Sequence, residues 1–169
     1  MNWLFILFYC ISLAVLAGYV AYSVWRCGVP ASLSETYYLL KNLKRPFWLF
    51  PVCLTVAALG IMPAWIEAST AGTQFLAFLS AAALAFVAYS PAFGEPVTGN
   101  VHKGATVVAA LSGVAWCCVA FPVSWIIPLA CVAAIVYPIV KSPKKWLFWA
   151  EMAAFASVYV SLLVKMIIG

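Results

Sequence analysis

Residues 3–25 read WLFILFYCISLAVLAGYVAYSVW, a run without a single charged side chain. An α-helix needs about 20 apolar residues to cross the hydrocarbon core of a bilayer. Similar runs recur along the chain, in which 67% of the residues are hydrophobic and only 8% are charged. A soluble domain of 169 residues has no interior large enough to bury so much apolar surface. Because the runs lack the polar–apolar alternation of barrel strands, the sequence predicts an all-α, polytopic membrane helical bundle.

We predict about six transmembrane helices in a single transmembrane domain that covers residues 1–169. Polar or turn-rich joints separate most of the spans, but the joint at Phe121-Pro122 has neither a charge nor a glycine. Residues 101–140 are about twice as long as one span needs, and a proline interrupts the hydrogen bonds of a helix, so we expect a tight hairpin there. The predicted spans are residues 3–25, 46–65, 73–90, 101–121, 123–140 and 146–168.

The basic residues indicate how the helices cross the membrane. With six spans, both termini lie on one side together with the second and fourth loops, and the other three loops lie opposite. Only Lys165 falls on the side of the termini, and cytoplasmic loops are the ones rich in lysine and arginine. We therefore expect a multi-pass protein of the cell inner (plasma) membrane with both termini outside. The basic residues of the cytoplasmic loops are Arg26, Lys41, Lys44, Arg45, Lys103, Lys141, Lys144 and Lys145.

The net charge of +5 thus reflects the topology of the chain, and we expect the lipid bilayer and no nucleic acid as its partner. Within lipid, helices associate by close approach of their backbones at small residues. Small residues recur every four positions in several spans, which is compatible with a compact monomer or with a homo-oligomer that forms through these faces. The residues are Ala14 and Gly18; Ala77, Ala81 and Ala85; Ala105, Ala109 and Gly113; and Ala150 and Ala154.

The first basic loop contains the pattern of a short helix. Ser32 is followed three residues later by Glu35, as in a capping box, where Ser32 caps the Glu35 amide and Glu35 accepts from the Ser32 amide. Apolar side chains then recur on one face, at Leu33, Tyr37 and Leu40. We predict a short interfacial amphipathic helix over residues 32–44, whose apolar face dips into the membrane surface.

The polar residues restrict the possible chemistry. The chain has no aspartate, a single histidine, His102, and no glycine-rich phosphate loop. A metal site of several histidines is therefore excluded, and we predict neither a metal nor a cofactor. The six cysteines contain no pair at zinc-ligand spacing, and we expect them to be small buried hydrophobic residues.

Glu151 is the most unusual polar residue for a membrane protein. It lies about five positions into the last span, roughly 7–8 Å along the helix. A charged group costs a few kcal/mol at the bilayer centre and less near the edge. Glu151 can form a structural ion pair at the membrane edge with Lys144, Lys145 or Arg26, or it can function in ligand binding or proton exchange. We expect its carboxylate to point into the bundle and meet a polar partner. The candidates are His102, Arg26, Tyr37 and Tyr38.

Most of the remaining polar side chains collect at the predicted cytoplasmic edge, which favours a site on that half. They are Ser32, Ser34, Glu35, Tyr37, Tyr38, Glu95, His102 and Glu151. Our first hypothesis is a non-enzymatic role in binding, in assembly or in passage of a small solute. The alternative is a membrane-embedded enzyme that acts on a lipid at the cytoplasmic edge through Glu151, His102 and Tyr37 or Tyr38.

Four segments resemble those of a family of small multi-span membrane proteins of bacteria and their phages, for which no activity is assigned. They are VPASLSETYY (29–38), FLAFLS (75–80), PAF (91–93) and VHKGA (101–105). The resemblance implies a small polytopic membrane protein over most of the chain. A looser resemblance is to multi-span hydrolases of the alkaline ceramidase type, which use several histidines and an aspartate around zinc. The chain departs from that pattern because it has one histidine and no aspartate, so zinc hydrolysis is not predicted.

The predicted orientation can be tested with alkaline phosphatase, which is active only outside the cytoplasm. Fusions at both termini should be active, and a fusion at Lys144 should be inactive, because the basic loops stay in the cytoplasm. Enzyme activity in whole cells measures the outcome. Inactive fusions at both termini would reverse the orientation.

Overall fold

The computed structural model describes residues 2–93 and 96–168. Within these ranges the chain forms seven α-helices, one short 3-10 helix and no strand, which confirms the predicted all-α bundle. The helices are α1 (Trp3–Cys27), α2 (Glu35–Asn42), α3 (Leu49–Ala68), α4 (Gln74–Phe93), α5 (Pro96–Val119), α6 (Ile126–Lys141) and α7 (Trp146–Ile168), and the 3-10 helix Pro143–Lys145 precedes α7.

Five of the described helices are long and apolar enough to cross a membrane, namely α1, α3, α4, α5 and α7. The remaining predicted span is present as the apolar helix α6, which has 16 residues. At 1.5 Å per residue α6 is about 24 Å long, whereas the hydrocarbon core is about 30 Å thick. Five of the six predicted spans therefore reach full length, and the sixth is a shorter helix.

The helical structure is interrupted between α5 and α6 around Phe121 and Pro122, where the sequence predicts a hairpin. The non-helical segment is longer than expected, because α5 ends at Val119 and α6 begins at Ile126. The Ser124 amide donates to the Phe121 carbonyl at 3.1 Å, and the Ser124 hydroxyl is fully buried in the turn. Val123 has a φ of 59°, a conformation that is unfavourable for a β-branched residue.

Hydroxyl groups join α1 to α3 and α7. The Ser12 hydroxyl donates to the Ala57 carbonyl of α3 at 2.6 Å and lies 2.5 Å from the Tyr159 hydroxyl of α7. The Tyr9 hydroxyl donates to the Tyr159 carbonyl at 3.0 Å. Lipid offers these groups no partner, so their hydrogen bonds stabilise the contact between the helices. The Ala31 carbonyl, which follows the end of α1, accepts from the Phe148 amide at the start of α7, so the two helices run antiparallel.

The small residues of α4 and α5 pack against each other. Ala77 and Ala81 are buried, and the Ser80 hydroxyl between them donates to the Ala109 carbonyl of α5 at 2.7 Å. A Cβ atom added at Gly113 of α5 would lie 3.1 Å from the Ser80 hydroxyl oxygen. Close approach at small residues thus stabilises this pair of helices. Ala14 and Gly18 of α1 instead lie on the outside of the bundle.

Helix α2 is shorter than the predicted 32–44, because it begins at Glu35 and ends at Asn42. Lys44 has a φ of 53°, which a helix cannot continue through. The predicted apolar face is buried, with Leu40 fully inaccessible, but it packs on α1 and α3 of the protein itself. A hydrogen bond between the Tyr19 and Thr36 hydroxyls adds a polar link from α1 to this helix.

The predicted capping box is present in an altered form. The Ser32 hydroxyl accepts from the Glu35 amide at 3.3 Å, as the sequence indicates. The Glu35 carboxylate, however, accepts from the amide of Ala31 at 2.6 Å, one residue earlier than predicted. The amide of Ser32 is thus not the second partner of the box, and the Glu35 side chain orders the chain just before the helix instead.

The expectation that the cysteines are buried holds for Cys117 and is wrong for Cys10 and Cys118, which are exposed on the outside of the bundle. The other three are partly buried, and all six are free thiols. A thiol is a small, weakly polar group, so a surface that faces lipid tolerates it as readily as the interior does. Composition therefore does not predict which face of a span a cysteine occupies.

We expect Gly60→Leu to lower the free energy of unfolding by about 1–3 kcal/mol, because overpacking at a close helix contact costs that much. A Cβ atom at Gly60 would lie 3.2 Å from the Cβ of Ser12, so α1 and α3 would have to separate. Gly18→Leu is the matched control, since a Cβ atom at Gly18 meets nothing within 4 Å. Thermal unfolding in detergent measures both, and equal effects of the two variants would contradict the packing described.

Candidate functional site

The Glu151 carboxylate lies near the start of α7 and faces the chain segment that precedes α2. Its Oε2 atom accepts a hydrogen bond from the Leu33 amide at 2.6 Å. In the opposite direction, the Phe148 amide donates to the Ala31 carbonyl at 2.9 Å. Amides in the first turn of a helix have no partner within that helix, so Ala31 supplies one that Phe148 lacks. Two hydrogen bonds therefore fasten residues 31–33 to the first turns of α7.

The partner of Glu151 differs from the four side-chain candidates that the sequence suggested. The carboxylate has a polar partner within the protein, as expected, but this partner is a backbone amide. Arg26, one of the four, is exposed, and its guanidinium lies over the Trp25 ring of its own helix at 3.9 Å from the ring centroid. Hydrogen bonds from a backbone amide to a charged acceptor contribute about 1.5–3 kcal/mol.

His102 lies at the contact between α4 and α5. Its Nδ1 atom is 2.5 Å from the Ser90 hydroxyl, and its backbone carbonyl accepts from the Thr106 hydroxyl at 2.8 Å. The imidazole is partly buried. These contacts link the end of α4 to the beginning of α5.

The two tyrosines lie on α2 and pack against aromatic rings. The Tyr37 ring is buried, and its centroid lies 5.3 Å from those of Phe47 and Tyr38. Tyr38 is exposed. Glu95 lies outside the described residues. The candidate residues that the structure describes thus do not form one cluster, because His102 lies between α4 and α5 and the two tyrosines lie in the first loop region.

No group of three or more histidine, cysteine, aspartate or glutamate side chains within residues 2–93 and 96–168 is arranged to hold a metal ion. Glu151 itself accepts the hydrogen bond from Leu33 with one carboxyl oxygen. An ionised carboxylate has two oxygens and about four lone-pair positions. One of these positions is used by Leu33.

A cavity of about 90 Å³ lies between α3, α4, α5 and α7, and Glu151 lines it. Leu33 and Ser34 close the same end, so the segment fastened by Glu151 also forms one wall of the cavity. The α3 wall is a stripe of side chains at helical spacing, Phe50, Leu54, Ala57, Ile61 and Trp65. Small residues on α5 and α7 leave the space open, namely Ala109, Ala110, Gly113 and Ala154.

The hydroxyl groups of the cavity walls are engaged with the protein. Ser80 donates to a carbonyl of α5, Thr106 donates to the carbonyl one turn earlier in its own helix, and the Tyr159 hydroxyl is bonded to Ser12 of α1. Among the lining residues that the structure describes, Glu151 is the one with a charged side chain. The cavity therefore presents hydrocarbon along its walls and a carboxylate at one end.

The Trp65 indole lines the opposite end of the cavity and packs against the Trp116 ring. The rings of Trp65 and Trp116 meet edge to face, with centroids 5.5 Å apart and planes at 87°. The Trp116 indole donates to the Ser69 hydroxyl at 2.7 Å, and that hydroxyl donates to the Trp65 carbonyl at 2.6 Å. Such edge-to-face pairs stabilise a contact by about 0.5–1.5 kcal/mol beyond the burial of their surface. This end of the cavity is thus held by aromatic packing and by one hydrogen-bonded hydroxyl.

No protein-family model, no curated protein and no solved structure matches this chain. The site therefore has to be interpreted from its own geometry. Glu151 is prominent in the sequence because a carboxylate is rare in a span. Leu33 could not be predicted as its partner, since every non-proline residue has a backbone amide and nothing in the side chain marks the one that is used.

We expect Glu151→Leu to raise the exchange rate of the Leu33 amide about tenfold or more, because it removes the acceptor of that amide, whose contribution of about 1.5–3 kcal/mol corresponds to that factor. Glu151→Gln should change the rate far less, since its carbonyl oxygen can still accept. Glu67→Leu, at an exposed position of α3, is the control. Hydrogen exchange followed by mass spectrometry measures the rates. Equal protection of Leu33 in all three variants would show that the hydrogen bond contributes nothing.

Proposed function

We propose that this chain is a multi-pass protein of the cell inner (plasma) membrane that binds a small apolar or amphipathic molecule inside its helical bundle. The role is non-enzymatic. The observation that carries the proposal is the cavity between α3, α4, α5 and α7, with hydrocarbon walls and the Glu151 carboxylate at one end. Ligand sites in helical bundles lie between helices and combine apolar walls with a few polar groups.

The proposed topology has both termini outside and the basic loops in the cytoplasm. It is supported by the contacts of Ala31 with Phe148 and of Leu33 with Glu151, which bring the first and fifth loops to the same end of the bundle. Those loops contain seven of the nine basic residues of the chain, Arg26, Lys41, Lys44, Arg45, Lys141, Lys144 and Lys145. Helix α6 then returns the chain from the end of α5 to the start of α7, as a sixth crossing requires.

Binding accounts for the geometry better than catalysis on a lipid does. A general base or nucleophile has to lie within about 3 Å of the reacting atom. His102 is bonded to Ser90 at the contact between α4 and α5, and Tyr37 packs among aromatic rings of the first loop. The groups that the enzymatic alternative would use are therefore spread over separate places, whereas the cavity walls form one continuous apolar surface.

We expect the protein, purified in a mild detergent, to carry a bound small molecule that native mass spectrometry detects as an added mass. Ala154→Trp should remove that added mass, because Ala154 lines the cavity and an indole would fill it. Ala156→Trp is the matched control, since Ala156 is exposed on the same helix.

An added mass that persists in Ala154→Trp would place the molecule outside the cavity and contradict the proposal. Chemical conversion of the bound molecule by the wild-type protein, and not by Glu151→Gln, would favour the enzymatic alternative instead. Circular dichroism of each variant establishes that the helices are intact. A second cavity-filling variant, Ala110→Phe on α5, repeats the test from the opposite wall in case Ala154→Trp does not fold.

A further inference from the structure

The turn between α2 and α3 concentrates positive charge beside a membrane span. Lys41, Lys44 and Arg45 lie within five consecutive residues, and all three are exposed. The apolar helix α3 follows directly, so these basic residues lie at the edge of the span that α3 forms. The Lys41 Nζ atom lies 5.8 Å from the centroid of the Phe47 ring, which places the Lys41 ammonium beside the same turn. Residues 41–48 form what we call the basic turn.

Lys44 occupies a backbone position that glycine fits best. The Arg45 amide donates to the Leu40 carbonyl at 2.9 Å. The Lys44 amide donates to the Lys41 carbonyl at 3.0 Å, which completes the Schellman motif that ends many helices. The residue at this place in the motif has a positive φ and is usually glycine, whereas here it is Lys44 with a φ of 53°. Because the Lys44 side chain is exposed, burial does not offset this strain, and what the side chain adds to the turn is its charge.

The positive charge of the basic turn is not paired with the carboxylates that the structure describes at this end of the bundle. The Glu35 carboxylate accepts from the Ala31 amide at 2.6 Å. The Glu151 carboxylate accepts from the Leu33 amide at 2.6 Å. Both carboxylates are thus engaged with backbone amides of the first loop, and the exposed basic side chains are available to an anion outside the protein.

Exposed apolar side chains flank the charges and indicate which kind of anion fits. Leu43 is 52% exposed and Trp48 is 54% exposed. Indole rings favour the depth of the lipid headgroups, where acyl chains and charged groups meet. A free anion would use the basic side chains alone, whereas a phospholipid would also cover Leu43 and Trp48 with its acyl chains.

We propose that the basic turn binds an anionic phospholipid, with its phosphate at Lys41, Lys44 and Arg45 and its acyl chains against Leu43 and Trp48. Each basic side chain near a membrane surface strengthens the attraction to anionic lipid by a factor of about five. The proposal goes beyond the proposed function and is independent of it, because none of these five residues lines the cavity.

The test is a titration of the full-length protein, in a mild detergent, with phosphatidylglycerol or with phosphatidylcholine of the same acyl chains. Native mass spectrometry counts the lipids that the protein retains. We expect phosphatidylglycerol to bind about tenfold or more tightly than phosphatidylcholine, because three basic side chains face its phosphate. Inorganic phosphate should displace no more of the bound lipid than chloride does at the same ionic strength, since it lacks acyl chains.

The variants of Lys44 separate its charge from its backbone conformation. Lys44→Gln should weaken the binding of phosphatidylglycerol about fivefold, and Lys44→Arg should retain it. Lys44→Gly should weaken binding equally, while the midpoint of thermal unfolding stays unchanged or rises, because glycine adopts a φ of 53° without strain. Lys165→Gln, in the last turn of α7, is the control and should bind as the wild type does.

Equal binding of the two phospholipids by the wild type would overturn the proposal, as would equal losses in Lys44→Gln and Lys165→Gln. Displacement of the lipid by inorganic phosphate would assign the basic turn to a free anion and overturn it as well. A lower unfolding midpoint in Lys44→Gly would show that the lysine stabilises the turn and contradict its role in binding. Ala154→Trp should bind phosphatidylglycerol as the wild type does, so this proposal and the proposed function fail separately.

Discussion

Lipid offers no hydrogen bond to a peptide group, a hydroxyl or a carboxylate, and the arrangement of this protein follows from that constraint. Each apolar run is a helix because only a helix satisfies its own backbone within one segment. Hydroxyls such as those of Ser12 and Ser80 donate to carbonyls of neighbouring helices, and these bonds define which helices meet. Glu151 is subject to the same constraint in its strongest form, since a carboxylate costs the most to leave without a partner.

The partner of Glu151 connects the loop to the span. The capping interactions of Ser32 and Glu35 order the start of α2 and leave the Leu33 amide free to meet α7. The burial of Leu33 and Leu40 against the bundle then holds the loop in place. The capping pattern of residues 32–35 therefore orders a segment that forms one wall of the cavity. A loop that is only interfacial, with its apolar face in lipid, would not close the cavity in this way.

The sequence predicts the helices well because the length of an apolar run has one physical meaning in a membrane. The apolar face of α2 was also predictable, from the spacing of its apolar residues. The cavity was not, because α3 is apolar on every side and its stripe of Phe50, Leu54 and Ile61 has no contrasting face. A polar partner for Glu151 was predictable from the depth of Glu151 in its span. The partner is a backbone amide, and which amide is used depends on the tertiary path of the chain.

The proposed function depends on a cavity with apolar walls and the Glu151 carboxyl group at one end. A crystal structure of the purified protein is the most direct test, because electron density distinguishes a bound organic molecule from water in a cavity of about 90 Å³. We predict continuous density for a small molecule in the cavity, with a polar atom within hydrogen-bond distance of Glu151. Separate water peaks in the cavity, or side chains packed across it, would contradict the proposal.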